Sequence, residues 1–394
     1  MKILHSADWH CRDDDLDEVR KCLGILVKTV KDEKPDMVMM PGDVFDSRHV
    51  KLDSQSVKLI LEIVQGIANL VPIAIVAGTP SHDGTTIDAL RYVMAKYPVW
   101  VSTVPQQIYL MPNGTFAANP DGPPKLAISL IPPPTKQYFQ SMSDIDSTNK
   151  EIASAMSAMF GGFGSRAAEF SCPHVLGGHL SIGGAFVSDT QQLIGVDIEV
   201  STDQLALANA VVNMLGHIHY GQKIGDKTFY SGSLYRTDSG ETEDKGFWIH
   251  ELSATGLHGS TFIKTPTRKL YKLKYDFTNP QNGFRIPFTP EILNGIKDAT
   301  VKIELKVFED EVSKIDREDL ELHLAEAKEH GVPKIIRVPR ANVRSERLLK
   351  MRTLREKIVE QARLRGEEVP ESILEKADMF ESMDPDEVVA MATK

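Results

Sequence analysis

Hydrophobic and polar positions along the first part of the chain follow two different periods. One set of apolar residues recurs three and four positions apart and predicts an amphipathic helix over residues 16–30: Leu16, Val19, Leu23, Leu26 and Val30. A similar set at 57–64 predicts a second helix. Short apolar runs that stop at glycine, proline or aspartate predict buried strands, at residues 2–7, 36–40, 72–76, 125–131, 174–176, 211–215, 228–230 and 247–252. Strands alternating with helices indicate an α/β core whose strands are stacked in sheets.

The composition changes near Pro266. A strand is predicted at 300–307, a helix capped by Asp316 at 320–327 and closed by Gly331, and another strand at 334–338. From residue 341 onward the pattern is helical only, and one face carries an apolar stripe: Leu348, Met351, Leu354, Ile358 and Ala362. We therefore predict domains at 1–265, 266–340 and 341–394. Within the first, the glycine-rich residues 161–164 predict a flexible loop.

Bulk composition is that of a globular protein, with 394 residues, 41% hydrophobic and 25% charged. Three cysteines without a CxxC pair favour a reducing compartment. The sequence contains no targeting signal and no apolar run of membrane-spanning length. We expect a cytoplasmic protein, or one in the host cytoplasm if its origin is viral.

Net charge is −10, which counts against a nucleic-acid-binding protein at first sight. The charge is unevenly spread, however. Residues 334–365 carry a net +8 and residues 366–394 a net −7. A basic segment between acidic ones indicates a localised contact surface.

Five short motifs end a predicted strand or follow one closely, and each supplies aspartate or histidine. They are Asp8-Trp9-His10, Gly42-Asp43-Val44-Phe45-Asp46, Gly78-Thr79-Pro80-Ser81-His82-Asp83, Gly178-His179 and Gly216-His217-Ile218-His219. Open α/β folds place their sites at the carboxyl ends of strands, and imidazole with carboxylate suits manganese, iron or zinc. Each motif alone is weak, because a single strand-end histidine is usually structural. Together they predict a dinuclear metal site.

With these motifs in this order, the chain resembles the calcineurin-like metallophosphoesterases, and among them the SbcD-type nuclease subunits of double-strand-break repair. Tyr230-Ser231-Gly232-Ser233 and Lys245-Gly246-Phe247 resemble the segment that closes the SbcD catalytic domain. The motif-level resemblance covers about residues 1–265. It implies a layered β-sandwich core with helices on both faces, a small α+β capping domain and a helical C-terminal tail.

The resemblance also implies the ligands of two divalent metal ions. The first ion would be held by Asp8, His10, Asp43 and His219, and the second by Asp43, His179 and His217. Manganese is the expected metal, with iron, magnesium and zinc as alternatives. The family supplies one further ligand, the asparagine of a Gly-Asn-His-Asp motif, and this sequence departs there. Ser81 stands in the asparagine's place, so Ser81, Thr79 or a water molecule would fill the position.

By the same resemblance, His82 donates a proton to the leaving oxygen; the alternative is a supporting role behind the ligands. Asp46 and Asp83 are interpreted as orienting the ligand histidines or their loops, or equally as turn and cap residues. In the basic segment, Arg340, Arg344 and Arg347 are candidate contacts to DNA phosphates or to a partner. A solvated helix face explains these arginines equally well.

Three functions fit these features. The first is a DNA nuclease that works with an SbcC-type, SMC-like ATPase bound through the C-terminal helices and that forms a homodimer. The second is a small-molecule phosphodiesterase or phosphatase, which the acidic composition and the altered asparagine motif favour. The third is a non-catalytic scaffold that has lost its second metal. Residues 266–394 favour the nuclease, because a small-molecule enzyme has little need of them.

Overall fold

A computed structural model describes residues 1–135, 149–187, 191, 198–238, 241, 243–339, 351–365 and 367–383. The chain divides into two compact units. The first comprises Met1–Tyr275, Arg285–Leu305 and Asp316–Lys334, and the second comprises Asp276–Phe284, Lys306–Ile315 and Ile335–Lys394. The predicted domain boundaries at 265 and 340 stay a prediction.

The first unit is built on two large sheets. Its strands are β1 (Lys2–His5), β2 (Met37–Pro41), β3 (Ile73–Val76), β4 (Val99–Ser102), β5 (Gln106–Leu110), β6 (Phe116–Ala117), β7 (Leu126–Ile131), β8 (His174–His179), β9 (Ser181–Ile182), β10 (Glu199–Val200), β11 (Val212–Gly216), β12 (Gln222–Ile224), β13 (Thr228–Tyr230), β14 (Gly246–Ser253) and β15 (Gly256–Lys264). One sheet has the order β15-β14-β1-β2-β3-β4 and the other β12-β13-β11-β8-β7-β5-β6, while β9 and β10 form a small pair.

Helices cover the outer faces of both sheets. They are α1 (Leu16–Glu33), α2 (Gln55–Ala68), α3 (Asn149–Ala167) and α4 (Thr202–Ala206). Strand β2 shows how the layers form, because successive side chains point to opposite faces. Met37 and Met39 pack between the two sheets, whereas Val38 and Met40 pack in the core that contains α1 and α2. The predicted layered α/β sandwich is confirmed.

The predicted loop at 161–164 is wrong, because these residues continue α3. Ile152, Met156 and Phe160, spaced four residues apart, are buried against the second sheet and hold the helix in place. At Gly161 and Gly162 a Cβ would meet no atom within 4 Å, so packing does not require glycine at either position. At Gly164 a Cβ would lie 2.6 Å from the carbonyl oxygen of Leu207, which only glycine avoids.

Most other predicted elements are present with small shifts. The helix at 16–30 runs on to Glu33, and α2 covers the second predicted helix. Strand β8 is longer than predicted and includes Gly178 and His179. In the described residues, no helix combines the length and the apolar character needed to cross a membrane.

Beyond residue 265 the chain forms a four-stranded sheet and further helices. The strands are β16 (Leu270–Asp276), β17 (Thr300–Phe308), β18 (Glu329–His330) and β19 (Lys334–Val338). The helices are α5 (Pro290–Ile296), α6 (Arg317–Leu324), α7 (Leu354–Arg365) and α8 (Glu371–Ser382). Asp316 caps α6 as predicted, since its side chain accepts from the N–H of Asp319. Gly331 does not close that helix, because β18 intervenes.

Candidate metal centre

The five motifs converge because the strands that carry them run parallel. Strands β1, β2 and β3 are parallel neighbours in one sheet, and β8 and β11 are parallel neighbours in the other. Their carboxyl ends therefore deliver the following loops to one edge of the sandwich. All the residues of this site belong to the first compact unit.

Asp8, His10 and His219 form the first cluster, with one donor atom from each lying within 4.8 Å of the others. The Nε2 atoms of His10 and His219 are 2.9 Å apart. Asp8 is fully buried, and its carboxylate accepts from the backbone N–H of His217 at 2.9 Å. Two imidazole nitrogens and a carboxylate thus face one small space.

Asp43, His179 and His217 form the second cluster under the same distance limit. The Oδ2 atom of Asp43 lies 3.2 Å from Nε2 of His179 and 3.9 Å from Nε2 of His10. Asp43 therefore stands between the clusters, in the position of a bridging carboxylate. The structure brings together all six aspartate and histidine side chains that the sequence assigned to metal binding.

Charges in this buried site compensate one another. Burial alone would raise the pKa of Asp43, but His179 and His10 outweigh it and hold that pKa well below the ordinary value. Burial likewise favours neutral His179, yet Asp43 and Asp8 raise the pKa of His179 to about 9. The metal-free site thus binds a proton at neutral pH, because its carboxylates require a nearby positive charge.

Backbone conformation sets several of these residues apart. Asp8, His10, Asp43 and His217 have φ values of 53°, 39°, 50° and 94°. L-residues rarely adopt this left-handed region, and residues held there concentrate at functional sites. The surrounding contacts hold them: the N–H of Asp8 donates to the carbonyl of Gly42, and that of His10 to the carbonyl of Asp43.

Glycines line the clusters where the backbone segments approach most closely. A Cβ on Gly42 would lie 2.4 Å from Nδ1 of His179, and one on Gly78 would lie 2.0 Å from the backbone nitrogen of Asp43. Gly42 also has a φ of 88°. A side chain at Gly42 would push apart loops of the two sheets, and one at Gly78 would push apart the loops after β2 and β3. These glycines therefore allow the ligands to converge.

Thr79, rather than Ser81, contacts the second cluster. Its hydroxyl lies 3.2 Å from Oδ2 of Asp43 and 3.1 Å from Nε2 of His179, and its backbone N–H donates to Asp43. Ser81 is exposed, and its backbone carbonyl accepts from the N–H of Arg48. Of the alternatives left open by the sequence, the structure places the Thr79 hydroxyl at the cluster.

His82 lies beside the first cluster and is partly exposed. Its ring contacts that of His10 edge-on, with centroids 4.7 Å apart. Its Nδ1 lies 2.8 Å from the backbone carbonyl of Asp46 and must donate to it. Nδ1 therefore carries the proton in the neutral ring, and Nε2 is the atom free to exchange one.

The two further aspartates contact different groups. Asp46 lies 3.5 Å from Nδ1 of His10, behind that ring. Asp83 is buried and accepts from the backbone N–H groups of Val44, Phe45 and Gly78. It thereby joins the loops after β2 and β3. Burial and the charge of Asp43 raise the pKa of Asp83 to about 6.

Glu241, Lys245 and Gln191 support the site and were missed by the sequence analysis. Glu241 lies 3.6 Å from Nδ1 of His219. Burial would raise its pKa, but His219 and Lys245 hold it at about 2. Lys245 is buried and donates to the carbonyl of His219 at 3.0 Å. The Gln191 side chain donates to the carbonyl of His217 and accepts from the N–H of His219.

The donor set fits divalent metal ions. Imidazole nitrogens with carboxylate and hydroxyl oxygens are typical ligands of manganese, iron and zinc, and the carboxylate behind His219 is a common support for a metal-bound histidine. The candidate contacts Arg340, Arg344 and Arg347 lie outside the described residues.

Known proteins are similar in sequence to parts of the chain. A family model described as calcineurin-like phosphoesterase matches residues 1–180. The SbcD component of the SbcCD nuclease of Staphylococcus epidermidis is 24% identical over 294 residues, which cover 70% of this chain and 73% of that protein. Among solved structures, GAP50, the anchor in the inner membrane complex of Plasmodium, gives a TM-score of 0.43 at 14% identity, covering 68% of this chain and 85% of that one. TT1561 of Thermus thermophilus gives 0.34 at 10% identity, covering 66% and 98%.

The matched residues 1–180 contain four of the five motifs, including Asp43 and His179. The fifth motif, with His217 and His219, completes both clusters from strand β11. Members of the matched family hydrolyse phosphoesters with divalent metal ions. The model of the calcineurin-like phosphoesterase family thus matches the segment that supplies Asp8, His10, Asp43 and His179.

Proposed function

We propose that the chain is a metal-dependent DNA nuclease that acts in double-strand-break repair or recombination with an SMC-like ATPase. The observation that carries the proposal is the pair of donor clusters with Asp43 between them. A centre of this kind suits an in-line attack on a phosphodiester. The similarity to a relative that is named as a nuclease supports DNA as the substrate.

In this proposal Asp8, His10 and His219 hold one metal ion and His179 and His217 the other, with Asp43 bridging. Bound divalent ions, manganese being expected, supply charge neutralisation and water activation. We assign the Thr79 hydroxyl, rather than that of Ser81, to the position of the family's asparagine. Its distances of 3.2 Å to Asp43 and 3.1 Å to His179 support that assignment.

His82 is the proposed proton donor to the leaving oxygen. Its Nδ1–H is held by the Asp46 carbonyl, so the proton that the doubly protonated ring donates leaves from Nε2. Its partial exposure lets solvent restore that proton afterwards. Asp46 and Asp83 position the rings and loops around the donor.

The C-terminal helices are the proposed docking site for the ATPase. Within the second unit, α7 and α8 are joined by Arg355, which pairs with Glu371 and Asp378. Large apolar side chains nevertheless remain exposed on both helices: Leu354, Val359, Ile373, Met379 and Phe380. Such a face suits a partner helix. A capping domain at 266–340 and homodimerisation complete the proposal.

A cleavage assay on linear double-stranded DNA with manganese tests it. Wild type should cut, Asp43→Asn and His82→Asn should fail, and Tyr92→Ala, which changes an exposed residue outside both clusters, should cut normally. Cutting that requires an added SMC-like ATPase would also support the proposal. Silence on DNA with hydrolysis of bis(p-nitrophenyl) phosphate would instead indicate a small-molecule phosphodiesterase. DNA binding without any turnover would indicate the scaffold.

A further inference from the structure

An exposed aromatic ring packs on a half-buried one whose residue directly follows a proposed metal ligand in the chain. In the described part of the chain, the exposed large apolar side chains include three aromatic ones, Tyr92, Phe186 and Phe380. Phe186 is 57% exposed, yet its ring packs edge-to-face on Tyr220 with centroids 4.8 Å apart. Tyr220 directly follows His219 in the chain. The pair therefore stands beside a proposed metal ligand.

Phe186 is held in this exposed position by both of its backbone polar groups. The Gln222 side chain accepts from the N–H of Phe186 at 2.9 Å and donates to its carbonyl at 2.8 Å. The same amide donates to the carbonyl of Tyr220 at 3.2 Å. An isolated exposed phenylalanine needs no explanation. One whose backbone and ring are both fixed presents a pre-organised apolar surface to a ligand.

The same stretch of chain is tied to the ligand histidines. Gln191 follows Phe186 by five residues and bridges the backbones of His217 and His219, at 2.6 and 2.9 Å. Phe186 thus contacts Tyr220, the neighbour of His219, and Gln191 independently contacts both His217 and His219. A substrate phosphate at the clusters would bring its neighbouring nucleoside close to these rings.

We propose that Phe186 and Tyr220 form a stacking platform for an unpaired nucleobase beside the phosphodiester that is cut. The inference rests on the proposed nuclease function and adds to it that the preferred substrate is a single-stranded or frayed end. Stacking on an aromatic ring tolerates any base, because every base has a π-face. It also needs no positive charge, which suits a chain with a net charge of −10.

The test measures binding without turnover. A fluorescent single-stranded oligonucleotide is titrated into the full chain in chelator at low salt, and its anisotropy gives Kd. Phe186→Ala should weaken binding about ten-fold, the loss expected for one stacked base. Phe186→Trp should restore it, and Tyr92→Ala, which removes another exposed aromatic ring, should leave Kd unchanged.

An oligonucleotide with abasic sites completes the comparison. Wild type should bind it as weakly as Phe186→Ala binds the normal strand, and Phe186→Ala should cause no further loss. An equal loss of affinity on both strands in Phe186→Ala would overturn the platform and point to a contact with the DNA backbone. An unchanged Kd in Phe186→Ala would also overturn the platform, and the rings would then be a contact for a protein partner or a second copy. Hydrolysis of bis(p-nitrophenyl) phosphate by wild type is measured separately. If this hydrolysis is absent while binding still depends on the bases, the nuclease function is overturned but the platform is not.

Discussion

The two halves of the metal centre are supported in different ways. In the first, the buried carboxylate of Glu241 stands 3.6 Å behind His219. In the second, the backbone carbonyl of Pro41 accepts from Nδ1 of His179 at 2.8 Å, and the neutral hydroxyl of Thr79 lies 3.1 Å from Nε2 of that ring. A carboxylate behind a histidine makes that histidine a stronger metal ligand than a neutral partner does. We therefore expect the first half to bind its metal ion more tightly.

The two halves also differ in that only one of them contains the proposed proton donor. His82 and Asp46 lie beside His10, in the first half. The second half instead has Thr79 and the tightly packed Gly42 and Gly78. In the proposed function, the first half would therefore combine metal binding with proton transfer, and the second would contribute mainly the second positive charge.

Replacing the residue that the halves share should have the largest effect. Asp43→Asn keeps the shape of the side chain and suits its left-handed backbone, since asparagine tolerates a φ of 50°. Losing a metal contact worth several kcal/mol should slow hydrolysis on the order of a thousand-fold. The steady-state rate of bis(p-nitrophenyl) phosphate hydrolysis measures this loss. Activity within a few-fold of wild type would mean that Asp43 does not bridge.

Replacing His82 should separate proton donation from metal binding. His82→Asn should lower DNA cleavage by about a hundred-fold or more, the usual contribution of a general acid. Hydrolysis of bis(p-nitrophenyl) phosphate should change little, because nitrophenolate leaves without a proton. Equal losses on both substrates would indicate that His82 supports the ligands instead.

The sequence predicted the two clusters because their residues obey a local rule. Asp8, Asp43 and His179 each stand at the end of an apolar run, and parallel strands bring such ends together. Glu241 and Gln191 follow no such rule. They lie in irregular segments, and their contacts with His219 appear only once the chain is folded.

Close packing explains two further differences between prediction and structure. The sequence put Ser81 in the asparagine's place and left Thr79 and a water molecule as alternatives, whereas in the folded loop the Thr79 hydroxyl contacts Asp43. Gly164 looked like part of a loop, but it is the contact residue of a helix that packs on the backbone of Leu207.

A substitution of Glu241 tests the prediction that the two halves bind their metal ions with unequal affinity. Glu241→Gln should weaken the tighter of two metal-binding events by about 10- to 100-fold, the usual cost of losing such a partner. The weaker event should not change. Glu243→Gln is the matched control, because Glu243 contacts Lys245 at 2.6 Å. Calorimetric titration with manganese compares the variants, and a shift of the weaker event alone would reverse the assignment.

Replacing Thr79 should have a smaller effect on metal affinity, and this effect should be confined to the second half. Thr79→Val removes one hydroxyl contact of about 1 kcal/mol and should weaken the second binding event about five-fold. Thr79→Ser keeps the hydroxyl and should bind as wild type does, while Ser81→Ala should have no effect. Loss of affinity in Ser81→Ala instead would return the role to Ser81.

The last expected effect concerns stability rather than activity, and it is a pH dependence of the metal-free protein. The pKa of His179 is raised from 6.5 to about 9 in the folded state. Its stabilising contribution is therefore complete below pH 6.5 and is lost as the pH rises through about 9. Melting temperature in chelator should fall over that interval, and the fall should be shallower in His179→Asn. A melting temperature that rises over this range would contradict the site's electrostatics.

The most direct test of the central claim is the number of manganese ions that the full chain binds. Calorimetric titration of the metal-free protein should show two events of unequal affinity in wild type and no more than one in Asp43→Asn. A single event in wild type, or two unchanged events in Asp43→Asn, would contradict a centre in which two metal ions share Asp43.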